Sequence, residues 1–146
     1  MKIHIPSFEF NGKIPVKFTC DGINVNPEIQ IEDIPQETKS LVLIVDDPDS
    51  PSGNWSHWVV WNIKPETRIV KENSTPDGGI TGVNDFLKKE YGGPCPFQGE
   101  HRYFFKIFAL SKILNISDKS VKTEVEKAME GNILEGSEFI GRYSRL

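Results

Sequence analysis

The stretch Ser40–Ile63, SLVLIVDDPDSPSGNWSHWVVWNI, decides how this chain folds. Its opening, Ser40 to Val45, is apolar on both alternating faces. That pattern predicts a central strand covered on two sides, as in a sandwich. His57 to Ile63 reads the same way. Strand alternation places His57, Val59, Trp61 and Ile63 on one face, and Trp58, Val60 and Asn62 on the other. Between the two runs stand Asp46, Asp47 and Asp49 with Pro48 and Pro51, the residues of a stiff turn. Charges and an imidazole beside so much apolar surface are costly unless something pairs with them. Either they satisfy each other or they wait for a ligand.

Working outward, His101–Leu110 (HRYFFKIFAL) predicts a third strand. It sets His101, Tyr103, Phe105 and Ile107 opposite Arg102, Phe104, Lys106 and Phe108. Two further runs read as edge strands: KFTC near Lys17, and EFIGRYSR at the C-terminal end. One helix is expected, in DKSVKTEVEKAMEG. There Val121, Val125, Ala128 and Met129 make a narrow apolar stripe, Ser120 or Asp118 suits the N-cap, and Gly131 suits the stop. The helix charges read as a solvated face. Dense punctuation, 12 Gly and 10 Pro mostly between short apolar runs, completes a mostly-β pattern. The expectation is a single domain over residues 1–146, with an antiparallel β-sandwich-like fold and one or two short helices.

Composition narrows the function classes. The formal charge of −4 and the pI of about 5.4 offer no broad basic surface. That argues against nucleic-acid or anionic-membrane binding, although a few oriented N–H groups can still form a local anion site. No segment approaches the roughly 20 apolar residues of a membrane helix, so stable membrane insertion is not expected. The N-terminal MKIHIPSFEF is not a signal peptide, which points to the cytoplasm. Cys20 and Cys95 are far apart in sequence, so reduced thiols are the default, with a disulfide between them left open.

Several constellations could carry chemistry. Asp47 ends its strand at the rigid turn, where a carboxylate is well placed to orient an imidazole. The plainer alternative is an Asx-Pro turn in which Asp47 and Asp49 accept from nearby backbone N–H groups. His57 alone reads more readily as a core histidine than as a ligand. His101, however, also lies at a strand end beside a Gly/Pro loop. If those strands neighbour each other in one sheet, both imidazoles and Asp47 open onto one corner. The loop Tyr91–Glu100, YGGPCPFQGE, could bring backbone close to a ligand through Gly92, Gly93 and Gly99, and Pro94 and Pro96 stiffen it. A zinc site on His57, His101 and an aspartate lacks any local ligand spacing. A serine hydrolase lacks its GxSxG elbow around Ser137. Cys95, with a proline on each side, is better suited to filling space under the loop than to attacking a substrate.

DDPDSP, WSHWVVWNI and YGGPCPFQGEHRYFFKIFAL, in this order, resemble the phosphatidylethanolamine-binding protein family, also called Raf kinase inhibitor-like proteins. The likeness is to its short prokaryotic branch and covers nearly the whole chain, from FTCDGINVNPEI to AMEGNIL. The resemblance implies an antiparallel β-sandwich-like fold with a small anion pocket. By the family pattern that pocket is lined by Asp47, Pro51, Trp55, His57, Gly93, Pro94, Pro96, His101 and Tyr103. It further implies a protein that binds phosphate groups and similar anions, needs no cofactor, and has a kinase or protease as protein partner in some members. Several prokaryotic members look like dimers, which makes a homodimer one expectation. Two departures stand out. Phe97 follows GPCP where the pattern usually continues with proline, which bears on the pocket rim. No longer C-terminal helix follows EFIGRYSRL, so a more open pocket is expected. The function expected is binding of a small anion or phosphate group. The competing reading is an acid–base enzyme acting on a phosphoester or ester, for which no nucleophile or metal is evident.

Overall fold

The computed structural model describes residues 1–145. Nine strands and one helix run in the order β1 (Lys2–His4), β2 (Gly12–Lys13), β3 (Ile29–Glu32), β4 (Ser40–Asp47), β5 (Trp55–Ile63), β6 (Ile69–Val70), β7 (Ile80–Thr81), β8 (Glu100–Leu110), α1 (Lys122–Met129) and β9 (Ile133–Ser144). They form a small sheet, ordered β1-β3-β6, and a large one, ordered β2-β9-β8-β4-β5-β7. All pairings are antiparallel except the short β2–β9 contact.

β4 is buried along its whole length, and its sequence explains why. Leu41, Leu43 and Val45 face the small sheet and share a core with Ile3, Ile5, Ile29, Ile31, Trp58, Val60, Phe105 and Ile107. Val42 and Ile44 face the opposite way, onto Val59, Trp61, Leu114, Val125 and Met129. The large sheet is thus a middle layer, covered by the small sheet on one side and by α1 with the segment before it on the other. A strand covered on both faces has no polar side to show, hence the unbroken apolar run. Truncating a residue such as Phe105, fully buried in the larger cluster, should cost about 3–5 kcal/mol.

The face assignment of β5 needs correction at both ends. Two extra residues bulge from β5 against β4, one between the Leu41–Ile63 and Leu43–Val60 pairs, the other between Val45–Trp58 and Asp46–Ser56. At the first, Asn62 adopts a left-handed backbone with φ +58°. Its side chain fastens the strand to the segment before α1 by donating to Leu114 O (2.9 Å) and accepting from Leu114 N–H (2.8 Å). Ile63 therefore joins the inter-sheet core instead of the Val59/Trp61 face. At the second bulge the extra residue is His57. It leaves the Val59/Trp61 face and stands beside Tyr103, with ring centroids 5.3 Å apart. A bulge re-aims side chains in this way because it adds one residue to a period of two.

Other expectations also shift. KFTC is not a strand. Val16–Phe18 form a 3-10 turn behind Pro15, closed by the Thr19 N–H and Oγ1 both donating to Val16 O. EFIGRYSR does form a strand, as part of the longer β9, which pairs with β8 over almost its full length. Helix α1 stops at Gly131 (φ +77°) as expected. Neither Ser120 nor Asp118 caps its start; the Glu124 carboxylate instead accepts from the Val121 N–H at 3.0 Å. The helix charges are not all solvated. Lys122 is 7% exposed, and its ammonium donates to Asp46 Oδ2 (3.3 Å) and Asn54 O (3.1 Å). Lys106 and Asn54 also donate to that carboxylate oxygen. Asp46, on the helix side of β4, thus ties α1 to the sheet.

The cysteine default is corrected as well. Cys20 and Cys95 are joined by a disulfide, so Cys95 is no free nucleophile. The cysteine usage therefore lends the cytoplasmic expectation no support. Among the described residues, no helix is long and apolar enough to cross a membrane.

Candidate functional site

The acidic turn, the second bulge of β5 and the start of β8 meet at one end of the large sheet. β5 and β8 are not neighbours; β4 lies between them and contributes Asp47 from the centre. Asp47 pairs with Trp55 on one side, and Tyr103 follows next along β8 on the other. Together they line a cavity of about 200 Å³. Of the nine residues expected there, the structure brings together Asp47, Pro51, Trp55, His57, Pro96, His101 and Tyr103. Gly93 and Pro94 do not line it. They sit behind its wall and hold the loop in place.

Asp47 serves both readings made of it. Oδ1 accepts from the Asp49 N–H at 2.8 Å, making the Asx turn. Oδ2 faces His101 Nδ1 at 2.7 Å. Asp49 fixes the turn to β8, because its two oxygens accept from Arg102 Nε (2.9 Å), Nη2 (2.8 Å) and the Arg102 backbone N–H (2.9 Å). The Arg102 guanidinium holds the Asp49 carboxyl down at about 2, so this clamp stays charged. Pro48, Pro51 and the clamp together leave Asp47 little freedom, which is what orienting an imidazole requires. The other nitrogen of His101, Nε2, faces Gln98 O at 3.1 Å. Both nitrogens of that ring therefore point at acceptors.

His57 is held differently. Nδ1 lies 2.6 Å from Gly92 O. A carbonyl only accepts, so Nδ1 carries the proton. Burial drives the imidazole below its ordinary value of 6.5, against the opposing pull of the Gly92 carbonyl and the Asp47 charge. The ring is then neutral near pH 7, and Nε2 is a lone-pair acceptor. Among the described residues, Nε2 has no hydrogen-bond partner. Tyr103 supplies the complement. Its side chain is fully buried, and its hydroxyl has no partner among the described residues. Burial and the nearby Asp47 and Asp49 charges push the phenol well above its usual range, so it stays protonated.

The loop Tyr91–Gly99 is anchored from behind. Tyr91 Oη donates to Phe18 O (2.7 Å), Gly92 N–H to His57 O (3.0 Å), Gly93 N–H to Asn24 Oδ1 (2.8 Å) and Cys20 N–H to Pro94 O (3.1 Å). The disulfide completes the attachment. Gly93 is required by closeness: a Cβ there would lie 2.2 Å from Phe18 O. The Gly92 and Gly93 amides are thus spent inside the protein and do not turn toward the cavity. Instead Cys95, Pro96 and Phe97 form that wall. Phe97 is at the rim and 93% exposed.

Sequence reasoning missed Phe86, Ser50, Ser52 and Cys95 as lining residues. Phe86 packs edge-on against both Trp55 (5.6 Å) and His57 (5.3 Å). The turn that presents it is built by Asn84. This side chain donates to His57 O and Glu90 O and accepts from the Phe86 and Lys88 N–H groups. An Asn in a loop is too common to announce that role. Among the described residues, no three His, Cys, Asp or Glu side chains are placed to hold a metal ion together.

Comparison with known proteins sets this geometry in context. Residues 4–144 match the sequence model of a family described as phosphatidylethanolamine-binding protein. The UPF0098 protein of Methanothermobacter thermautotrophicus is 43% identical over 99% of this chain and 99% of its own length. A UPF0098 protein of Aquifex aeolicus is 45% identical over 99% of this chain and 89% of its own. The crystal structure of a phosphatidylethanolamine-binding protein homolog from Chlamydia trachomatis superposes with a TM-score of 0.94 at 33% identity. It covers 99% of this chain and 97% of that one. Escherichia coli YbcL, described as a member of the mammalian family, gives 0.92 at 25% identity, covering 99% and 98%.

Proposed function

The chain belongs to the phosphatidylethanolamine-binding protein family, and from that premise we propose that the cavity at the end of the large sheet binds a small anionic, phosphate-bearing group. The observation that carries this reading is Tyr103: a fully buried hydroxyl whose proton has no acceptor among the described residues, in a cavity shared with two imidazoles. Leaving such a donor unpaired costs the folded protein about 1–3 kcal/mol. A ligand oxygen accepting from it recovers that cost on binding. His101, oriented by Asp47, adds positive charge at the same place when both its nitrogens donate. Its two nitrogens already face Asp47 and Gln98 O, so its contribution to an anion is Coulombic, while a Tyr103 hydrogen bond to a charged oxygen contributes roughly 1.5–3 kcal/mol.

Binding is favoured over turnover for a specific reason. His57 Nε2 offers the free lone pair of a general base, but no activated nucleophile stands beside it among the described residues. Ser50 and Ser52 line the cavity, but neither hydrogen-bonds an imidazole among the described residues. A kinase or protease partner would meet the exposed aromatic rim at Phe97 and Phe86.

Calorimetric titration with inorganic phosphate tests the proposal. The wild-type chain should bind, His101→Ala should lose binding, and its circular dichroism should be unchanged. Full affinity in a folded His101→Ala protein would move the site elsewhere.

A further inference from the structure

The geometry points to a pocket that selects singly ionised phosphomonoesters, which still carry a P–OH group, over phosphodiesters and sulfate. This rests on the phosphate-binding reading above and sharpens it. Two cavity groups of opposite character, one on Tyr103 and one on His57, have no protein partner among the described residues. Tyr103 Oη is a donor. His57 Nε2 is an acceptor, because the Gly92 carbonyl claims the ring proton at Nδ1. Their rings are 5.3 Å apart at 82°, so one small ligand can meet both.

A fully deprotonated oxyanion suits only half of this pair. Its oxygens can accept from Tyr103, but a second oxygen set against the Nε2 lone pair meets repulsion without a proton between them. Such juxtaposition of like partners is how sites reject ligands. A phosphate monoanion offers both kinds of oxygen. One P–O⁻ accepts from Tyr103 O–H, and the P–OH donates to His57 Nε2. Phosphomonoesters keep that proton up to a second dissociation near pH 6. Diesters and sulfate have none to offer at that pH. An intact phospholipid headgroup, being a diester, falls in the disfavoured class.

Protonating His57 would turn Nε2 into a donor and erase the distinction. The groups facing that ring set how readily this happens. Asp46 and Asp47 from β4 act on it through their charge, and Tyr103 from β8 and Phe86 pack against it. The two β4 carboxylates favour the cation, but burial outweighs them. The lone pair therefore persists to lower pH than in a free imidazole.

The experiment compares four ligands on the intact chain by calorimetry at pH 6: inorganic phosphate, methyl phosphate, dimethyl phosphate and sulfate. Dimethyl phosphate matches the methyl phosphate monoanion in charge and lacks its proton, so it separates hydrogen bonding from Coulomb attraction. Phosphate and methyl phosphate should bind at least tenfold more tightly than the other two. His57→Gln, which places an amide donor at this position, should narrow the gap to within about threefold. Equal affinity for all four ligands would overturn the selection while leaving anion binding intact. Failure of all four would overturn the phosphate-binding reading beneath it. A gap that persists in a folded His57→Gln protein would also overturn the assignment to the lone pair.

Discussion

Tyr103→Phe should stabilise the free protein and weaken its ligand, two effects of opposite sign from one oxygen atom. Tyr103 is wholly buried, and its hydroxyl has no partner among the described residues. Phenylalanine keeps the ring, and with it the contacts to His57 and His101. Removing an unpaired buried hydroxyl recovers desolvation worth at least about 1 kcal/mol, the low end of its usual cost. For a chain of this length that corresponds to a rise in Tm of about 2–4 °C. Phosphate would lose one hydrogen bond to a charged oxygen, about 1.5–3 kcal/mol, or roughly a 13- to 160-fold weaker Kd. Differential scanning calorimetry of the free protein and isothermal titration with phosphate read the two numbers separately. A fall in Tm above about 3 °C with phosphate affinity unchanged would refute the reasoning, because the hydroxyl would then be structural.

Other consequences follow from the same contacts. Lys122→Met removes one of two ammonium partners of buried Asp46 and should cost about 3 kcal/mol in urea unfolding, with phosphate affinity unchanged; a loss below 0.5 kcal/mol would mean the network contributes little. His57 resists protonation in the folded state. Between its ordinary value of 6.5 and its lower folded value, the unfolded chain binds more protons, so stability should fall as pH drops below about 6.5 and gain nothing above it. His57→Gln should flatten that part of the profile, and an unchanged slope would assign it to other groups. Cys20→Ser with Cys95→Ser opens a bridge spanning 75 residues. It should cost about 2–4 kcal/mol by chemical denaturation and weaken phosphate by freeing the wall at Cys95 and Pro96; unaltered affinity would show that the backbone contacts alone hold that wall.

Legibility in the sequence followed the strength of the local signal. SLVLIV announced a doubly covered strand because only such a strand needs no polar side. HRYFFKIFAL kept strict alternation, so the face shared by His101, Tyr103, Phe105 and Ile107 was readable from period two alone. β5 was not, because each bulge inserts one residue and reverses the faces beyond it. The shared corner for His57 was reached only by supposing that its strand neighboured that of His101; in the structure β4 separates them, and the bulge brings the ring across. A two-residue strand such as β2 is set by tertiary pairing and carries no signal of its own. Lys122 looked like one charge among many on an amphipathic helix, and only the fold puts it over Asp46. Gly93 carried a glycine's signal, but that signal does not say whether the close approach is to a ligand or, as here, to Phe18 O.

A crystal structure of the chain grown in phosphate at pH 6 tests the central claim most directly. The account predicts one anion in the cavity between β4, β5 and β8, with separate oxygens within hydrogen-bonding distance of Tyr103 Oη and His57 Nε2. An empty cavity beside an anion bound elsewhere, or Tyr103 Oη satisfied by the protein's own atoms, would contradict it.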